Sequence, residues 1–212
     1  MSIELIKRIL SSVILIPIII YVIIEGSIIF TFFLILCFFI LSYEWSMMIK
    51  SNFLKTIGII FLSISLFTIY MIRIDSQNSY WFLLLTTIIC ISTDTGGYIF
   101  GKIFGGPKLT KLSPNKTYAG MIGSYILAIV TSYILFKFNF VEVDYFKLIL
   151  FTLIISTVSQ IGDIFISFFK RKSRVKDTGK IIPGHGGLLD RADGMIFAFR
   201  ISYLIMFTEL LK

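Results

Sequence analysis

Residues 148–193 read LILFTLIISTVSQIGDIFISFFKRKSRVKDTGKIIPGHGGLLDRAD, an apolar run that passes directly into a charged, glycine-rich segment. The apolar part, residues 148–169, matches the roughly 17–25 residues that a membrane-spanning helix needs. Because unpaired polar groups are costly in lipid, the polar side chains of this run must face protein or water. The stretch therefore predicts a membrane helix that carries polar side chains toward one face of the membrane.

The rest of the chain has the composition of a polytopic membrane protein. Its 212 residues are 57% hydrophobic and 15% charged, whereas soluble domains are roughly 25% charged. The apolar runs are residues 9–24, 26–41, 56–72, 80–93, 118–136, 148–169 and 195–211. We expect an all-α protein with about seven transmembrane helices, and up to nine if the 93–117 region re-enters or adds a helix. The fourth run is short unless its helix continues through Asp94 toward Phe104.

Charge placement predicts the topology. Of the 20 Lys and Arg residues, 15 lie on segments that share a side with the N-terminus and 4 on the opposite segments, while Arg200 lies within the last run. The positive-inside rule therefore predicts a cytoplasmic N-terminus and a cytoplasmic segment 170–193, called here the charged loop. The same placement favours anionic lipid headgroups over nucleic acid as partners. Cys37 and Cys90 lie in apolar runs, which favours small core residues over a disulfide or a zinc site.

The run 148–169 carries a polar stripe on one helical face. Its members are Ser156, Ser159, Gln160, Asp163, Ser167 and Lys170. A seam of interhelical hydrogen bonds accounts for the serines and the glutamine. It accounts poorly for a buried aspartate, so we assign Asp163 a functional role.

The charged loop contains three candidate features. Lys172 and Arg174 are interpreted as basic anchors at the membrane face, whereas Lys176-Asp177 is an acid beside a lysine that it could orient. Segment 183–187 offers flexible backbone N–H groups that could bind phosphate, and its His185 is either a turn residue or a ligand contact. Asp190 and Asp193, spaced i, i+3, suit Mg²⁺, which takes one or two carboxylates plus substrate phosphate oxygens.

A third element runs from Asp94 to Thr117. The glycines at 97, 101 and 105 have the small-xxx-small spacing of close helix packing, and a ligand role is the equal alternative. Lys116-Thr117 lacks the glycines of a nucleotide P-loop, so a Walker A site is excluded.

These segments together resemble the phosphatidate cytidylyltransferase (CDP-diacylglycerol synthase) family over about residues 92–212. The resemblance rests on Ser159-Gln160-x-Gly162-Asp163, Ser167-x-x-Lys170-Arg171, Lys176-Asp177, Pro183-x-His185-Gly186-Gly187 and Asp190-Arg191-x-Asp193, with Asp94-Thr95-Gly96, Gly101-Lys102 and Ser113-Pro114-x-Lys116-Thr117 upstream. One departure is Ala119, which stands where the family usually has a glutamate. The chain is also shorter than typical members.

The resemblance implies cytidylyl transfer from CTP to phosphatidate, giving CDP-diacylglycerol and pyrophosphate. The apolar runs predict N-terminal transmembrane helices over residues 1–79, and the resemblance makes the transmembrane region over 80–212 the catalytic one. The placement of basic residues makes its loops 93–117 and 170–193 cytoplasmic. The implied location is the inner (plasma) membrane, with the active site facing the cytoplasm and a homodimer left open. The implied catalytic residues are Asp163, Lys176, Asp177, His185, Asp190 and Arg191. The implied substrate-binding residues are Asp94, Lys116, Ser159, Gln160, Lys170, Arg171, Gly186 and Gly187.

The implied cofactor is Mg²⁺ or another divalent metal, held by Asp163 and Asp190 with Asp193 in support. We expect folding to bring Asp163 and Asp190 together around this metal. A related CTP-dependent enzyme acting on another lipid phosphate or alcohol is the main alternative. A transporter is the alternative from another class, because intramembrane carboxylates also mark ion pathways. The motif order excludes a CDP-alcohol phosphotransferase.

Overall fold

The computed structural model describes residues 17–74, 79–110, 113, 116–138, 140, 143–181 and 186–208. Within these ranges the chain is helical, without a strand, and an antiparallel bridge joins Lys108 to Thr117. The helices are α1 (17–25), α2 (Ser27–Met48), α3 (Asn52–Ile74), α4 (Ser79–Phe104), α5 (Tyr118–Lys137), α6 (Tyr145–Lys172), α7 (Leu189–Ala192) and α8 (Met195–Met206). The predicted all-α class is confirmed for the described residues.

Five of the described helices, α2 to α6, are long and apolar enough to cross a membrane. The expected count of about seven is not confirmed. Helix α8 is apolar but shorter than a full span, and half of the first apolar run, 9–24, lies outside the described residues.

Helix α4 continues through the polar segment that follows its apolar run. It ends at Phe104, so the predicted loop 93–117 is wrong in its first part. The reason is packing against α5, where a Cβ added to Gly120 would stand 2.7 Å from the carbonyl oxygen of Gly97. Such close backbone contact requires glycine, and it supports the helix-packing interpretation at Gly97 and Gly101, whereas a Cβ on Gly105 would meet nothing within 4 Å. The helix ends before Gly105, whose φ of 59° is one that few residues other than glycine adopt.

The chain divides into two compact units. Unit 1 comprises Met1–Tyr80 with Phe169–Asp193, and unit 2 comprises Trp81–Phe168 with Gly194–Lys212. The boundary falls inside α6, so the charged loop groups with the N-terminal helices.

Unit 1 is organised by Trp45, which is buried on α2. Its Nε1 donates to the carbonyl oxygen of Leu54 at 3.1 Å, and its ring packs edge-on against Phe169 with centroids 5.1 Å apart. Both contacts fix the C-terminal end of α2 against its neighbours. The ring also fills the space beside Gly58, where a Cβ would stand 2.6 Å from Cζ2.

Unit 2 has an apolar core and, between its helices, hydroxyl pairs that are buried or, for Tyr125 and Thr157, half-buried. Core members include Leu85, Ile89, Phe151, Ile155 and Ala198. The hydroxyl pairs join Thr86 to Ser202 at 2.7 Å, Ser132 to Thr152 at 2.8 Å, Thr93 to Ser156 at 2.9 Å and Tyr125 to Thr157 at 2.9 Å. The interhelical hydrogen-bond seam proposed for the α6 stripe is thus confirmed at Ser156.

Candidate active site

In unit 2, an ion pair joins Lys116 to Asp163. The Nζ atom of Lys116 contacts Oδ2 of Asp163, and both side chains are about a quarter exposed. The Lys116 carbonyl accepts from the Leu109 N–H at 2.8 Å. Thr117 then caps α5 by accepting from the Gly120 N–H at 3.1 Å. The lysine is therefore presented by a short, backbone-ordered segment rather than by a free loop.

Asp163 retains acceptor capacity beyond these contacts. Besides the Lys116 amine on Oδ2, its Oδ1 accepts from the Ser167 hydroxyl one helical turn away, at 3.2 Å. An ionised carboxylate has about four acceptor positions. With a partly exposed side chain, Asp163 can take a further donor or a cation.

In unit 1, the buried Lys170 contacts two carboxylates of the charged loop. Its Nζ lies 2.9 Å from Asp190 Oδ1 and 3.7 Å from Asp193 Oδ2. Lys170 is 8% exposed and Asp193 6%. Charges so deeply placed are tolerated only when paired, because removing one partner leaves the other desolvated and uncompensated.

Asp190 also closes the charged loop through its second oxygen. Oδ2 accepts from the Thr178 N–H at 2.8 Å, from the Thr178 hydroxyl at 3.1 Å and from the Gly187 N–H at 3.0 Å. Burial raises the pKa of Asp190, but the Gly187 N–H, the Lys170 ammonium and the Thr178 N–H outweigh it. The net pKa lies below the ordinary carboxyl value, so Asp190 is an anion at neutral pH.

The glycines of the loop permit this arrangement. Gly186 has a φ of 85°, and a Cβ there would stand 2.8 Å from Asp190 Oδ2. In the adjacent Gly187 the N–H donates to the same oxygen. In this structure the Gly187 amide binds a carboxylate of the chain, and the phosphate prediction uses the same preference of backbone N–H groups for an anion.

Glu44 of α2 is a site residue that the sequence reasoning missed. It is 1% exposed, and its two oxygens accept from the N–H groups of Leu188 at 2.9 Å and Leu189 at 2.8 Å. The Thr178 hydroxyl lies 3.1 Å from Oε2. An acid near the end of an apolar span was the available signal, because such residues usually have a function.

The other predicted residues occupy varied positions. Arg171 donates to the Val175 carbonyl at 3.4 Å, Gln160 to Ser156 Oγ at 3.4 Å, and Ser159 is fully buried. The predicted residues that are exposed are Asp94, Arg171, Lys176, Asp177 and Arg191. His185 lies outside the described residues.

Of the two aspartates predicted to hold a divalent metal, Asp163 fits a cation better than Asp190 does. Among the described residues no three His, Cys, Asp or Glu side chains group together. Asp163 fits a hard cation, since it has oxygen donors and spare acceptor positions. Asp190 fits less well as arranged, because four donors already occupy its oxygens. The metal, and the meeting of Asp163 with Asp190 around it, remain predictions.

Comparison with known proteins agrees with these motifs. The model of the cytidylyltransferase family matches residues 56–208. A phosphatidate cytidylyltransferase of Rickettsia conorii is 37% identical over 206 residues, which cover 93% of this chain and 89% of that protein. One from Rickettsia bellii is 36% identical with the same coverage. One from Bacillus subtilis is 37% identical over 140 residues, 65% of this chain and 52% of that protein. The chain belongs to the cytidylyltransferase family.

Proposed function

We propose that this protein transfers the cytidylyl group of CTP to phosphatidate, giving CDP-diacylglycerol and pyrophosphate. The observation that carries the proposal is the Lys116–Asp163 pair at the membrane-spanning helix α6, in a chain whose family and relatives are named for this transfer. The relatives do not favour the transporter or the enzyme of another lipid phosphate.

The reaction makes modest demands on proton transfer. A phosphate oxygen of phosphatidate attacks the α-phosphorus of CTP, and the bond from that phosphorus to the bridging oxygen breaks, so that pyrophosphate leaves. The phosphatidate phosphate is already a dianion near neutral pH, so no strong general base is needed. The protein must instead neutralise negative charge and align the reacting groups.

Lys116 supports the proposal as a donor to a phosphate. An ammonium group has three N–H bonds, so the amine that contacts Asp163 can also donate to a phosphate oxygen. Asp163 orients that amine and is the best-placed ligand for a divalent cation. Such a cation would supply further neutralisation of phosphate charge when bound.

The charged loop supports the proposal through its exposed cations. We assign phosphate contacts to Arg171, Lys176 and Arg191, which are exposed on or beside the loop. Arg can bind a phosphate with a bidentate fork, whereas Lys acts as a point charge. The ion pairs of Lys170 with Asp190 and Asp193 stabilise the conformation of the loop. Asp177, His185, Gly186 and Gly187 remain predicted contacts of the substrates.

The cytoplasmic orientation is part of the same proposal. Basic residues 50, 55 and 170–180 were expected on one side of the membrane. The contacts of Glu44 with Leu188 and Leu189 support this expectation, because the C-terminal end of α2 and the charged loop then share a side. CTP is cytoplasmic, so the loop would face its substrate.

The test is an assay of purified protein in detergent for release of pyrophosphate and formation of CDP-diacylglycerol. Activity should require both CTP and phosphatidate. Transfer to an isoprenoid phosphate but not to phosphatidate would instead establish the alternative substrate class.

A further inference from the structure

Glu44 is a buried acid whose contacts, in the described part of the chain, are N–H and O–H donors rather than cations. It is 1% exposed and is the one charged residue of helix α2. A carboxylate is costly to bury unless it is fully hydrogen-bonded. An apolar side chain would pack equally well at this position, so the presence of a buried carboxylate needs another explanation.

The contacts of Glu44 join separate parts of the charged loop. Its two oxygens accept from the N–H groups of consecutive residues, Leu188 and Leu189, in a bidentate arrangement. Oε2 also lies 3.1 Å from the Thr178 hydroxyl. One side chain thus fixes both ends of the segment from Thr178 to Leu189.

The loop backbone approaches Glu44 closely at two glycines. A Cβ on Gly179 or on Gly187 would stand 2.6 Å from Oε1. Glu44 is itself held in place, because the adjacent Trp45 bonds to α3 and packs on Phe169. The Glu44 carboxylate is therefore held in place by α2, and the loop hydrogen-bonds to it there.

The same loop atoms surround Asp190. Thr178 contacts both carboxylates, and its N–H and that of Gly187 donate to Asp190. Asp190 in turn pairs with Lys170. Moving the segment away from Glu44 would therefore shift the donors of Asp190 and the exposed cations beside it.

We infer that Glu44 is a positioning residue that holds the charged loop in the conformation required for catalysis. The catalytic half of this inference rests on the proposed function. The structural half does not, since the hydrogen bonds can be followed without substrate.

The experiment compares Glu44→Gln with Glu25→Gln, the same chemical change at an exposed acid at the end of α1. In Glu44→Gln an NH₂ group replaces one acceptor and faces an N–H donor. Hydrogen–deuterium exchange of the peptide that contains Leu188 and Leu189 should become about tenfold faster, while peptides of α5 are unchanged. Turnover should fall about tenfold to a hundredfold, with a smaller change in KM for CTP. Glu25→Gln should match the wild type in both measurements.

If Glu44→Gln does not accumulate as folded protein, Thr178→Val removes the loop hydroxyl that lies near both Glu44 and Asp190. The same exchange and turnover measurements, with Thr178→Ser as the control that keeps the hydroxyl, then decide the inference. Unchanged exchange at Leu188 and Leu189 in Glu44→Gln would overturn the inference. Faster exchange with normal turnover would also overturn it, because Glu44 would then serve stability alone. Wild-type protein that makes no CDP-diacylglycerol would overturn the proposed function, and the exchange result would still decide whether Glu44 holds the loop.

Discussion

Lys116 and Asp163 form an ion pair between the segment that precedes α5 and the C-terminal half of α6. The pair places a cation and an anion beside α6, a helix that is long and apolar enough to cross a membrane. Since both side chains are partly exposed, the pair is accessible to a polar ligand. It is the part of unit 2 on which the proposed chemistry depends most.

Replacing the carboxylate of this pair should abolish most activity while leaving the fold intact. Asp163→Asn keeps the shape but removes the charge that orients Lys116 and would bind a cation, so turnover should fall by roughly a thousandfold. Yield and melting in detergent should change little, because no apolar packing is lost. Lys172→Ala, an exposed basic residue outside the proposed site, is the control for pyrophosphate release. An Asp163→Asn enzyme with normal turnover and unaltered Mg²⁺ dependence would refute the role of Asp163.

The Thr178 hydroxyl should matter separately from the size of its side chain. Thr178→Val keeps the shape but removes the donor near Glu44 and Asp190, so the protein should lose about 1–3 kcal/mol of stability. Thr178→Ser keeps the hydroxyl and should remain close to the wild type. Thermal melting of both variants in detergent gives the comparison. Equal melting temperatures for the two would show that the hydroxyl contributes nothing.

The loop should lose stability in acid through Asp190. Because the folded-state pKa of this carboxyl is lowered, its ionised form stabilises the fold fully above the ordinary value of about 4. That contribution is lost as the pH falls from there through the folded-state pKa. Asp190→Asn lacks it at every pH, so its melting temperature should lie below the wild type at pH 7, and the gap should narrow below about pH 4. A gap that is constant with pH would contradict this assignment.

The unusual Ala119 should tolerate the glutamate that its family usually has. Ala119 lies in the first turn of α5, where an acidic side chain interacts favourably with the helix dipole. Ala119→Glu should therefore fold normally and keep turnover within about threefold, a change of less than 1 kcal/mol in barrier height. A well-folded variant that has lost activity would show that the surroundings of Lys116 differ from those in the family.

The predicted topology can be tested by thiol labelling. With Cys37 and Cys90 replaced, single cysteines at Ser51 and Ser173 should be protected from impermeant reagents in intact cells. A cysteine at Asn139, which lies outside the described residues, should be labelled. If an impermeant reagent labelled the cysteine at position 173 in intact cells, the charged loop would lie outside the cell, away from cytoplasmic CTP.

The sequence determined the class of this protein because its main signals are local. Long apolar runs predict helices wherever they occur, and the motifs from Asp94 to Asp193 carry the family resemblance without any knowledge of contacts. The ends of the helices were harder to predict from sequence. Helix α4 continues to Phe104, and its glycines fit a helix there because α5 packs closely against them.

The tertiary structure decided which partner each charge has. Lys116 and Asp163 are 47 positions apart in the sequence, and nothing local distinguishes Asp163 as the partner of that lysine. Sequence spacing suggested a metal pair for Asp190 and Asp193, whereas folding places both beside Lys170 and surrounds Asp190 with loop donors. Glu44 shows the limit most clearly, because it lies 145 positions before Leu189. A hydrogen bond depends on a few tenths of an ångström, and only the packing of α2 sets that distance.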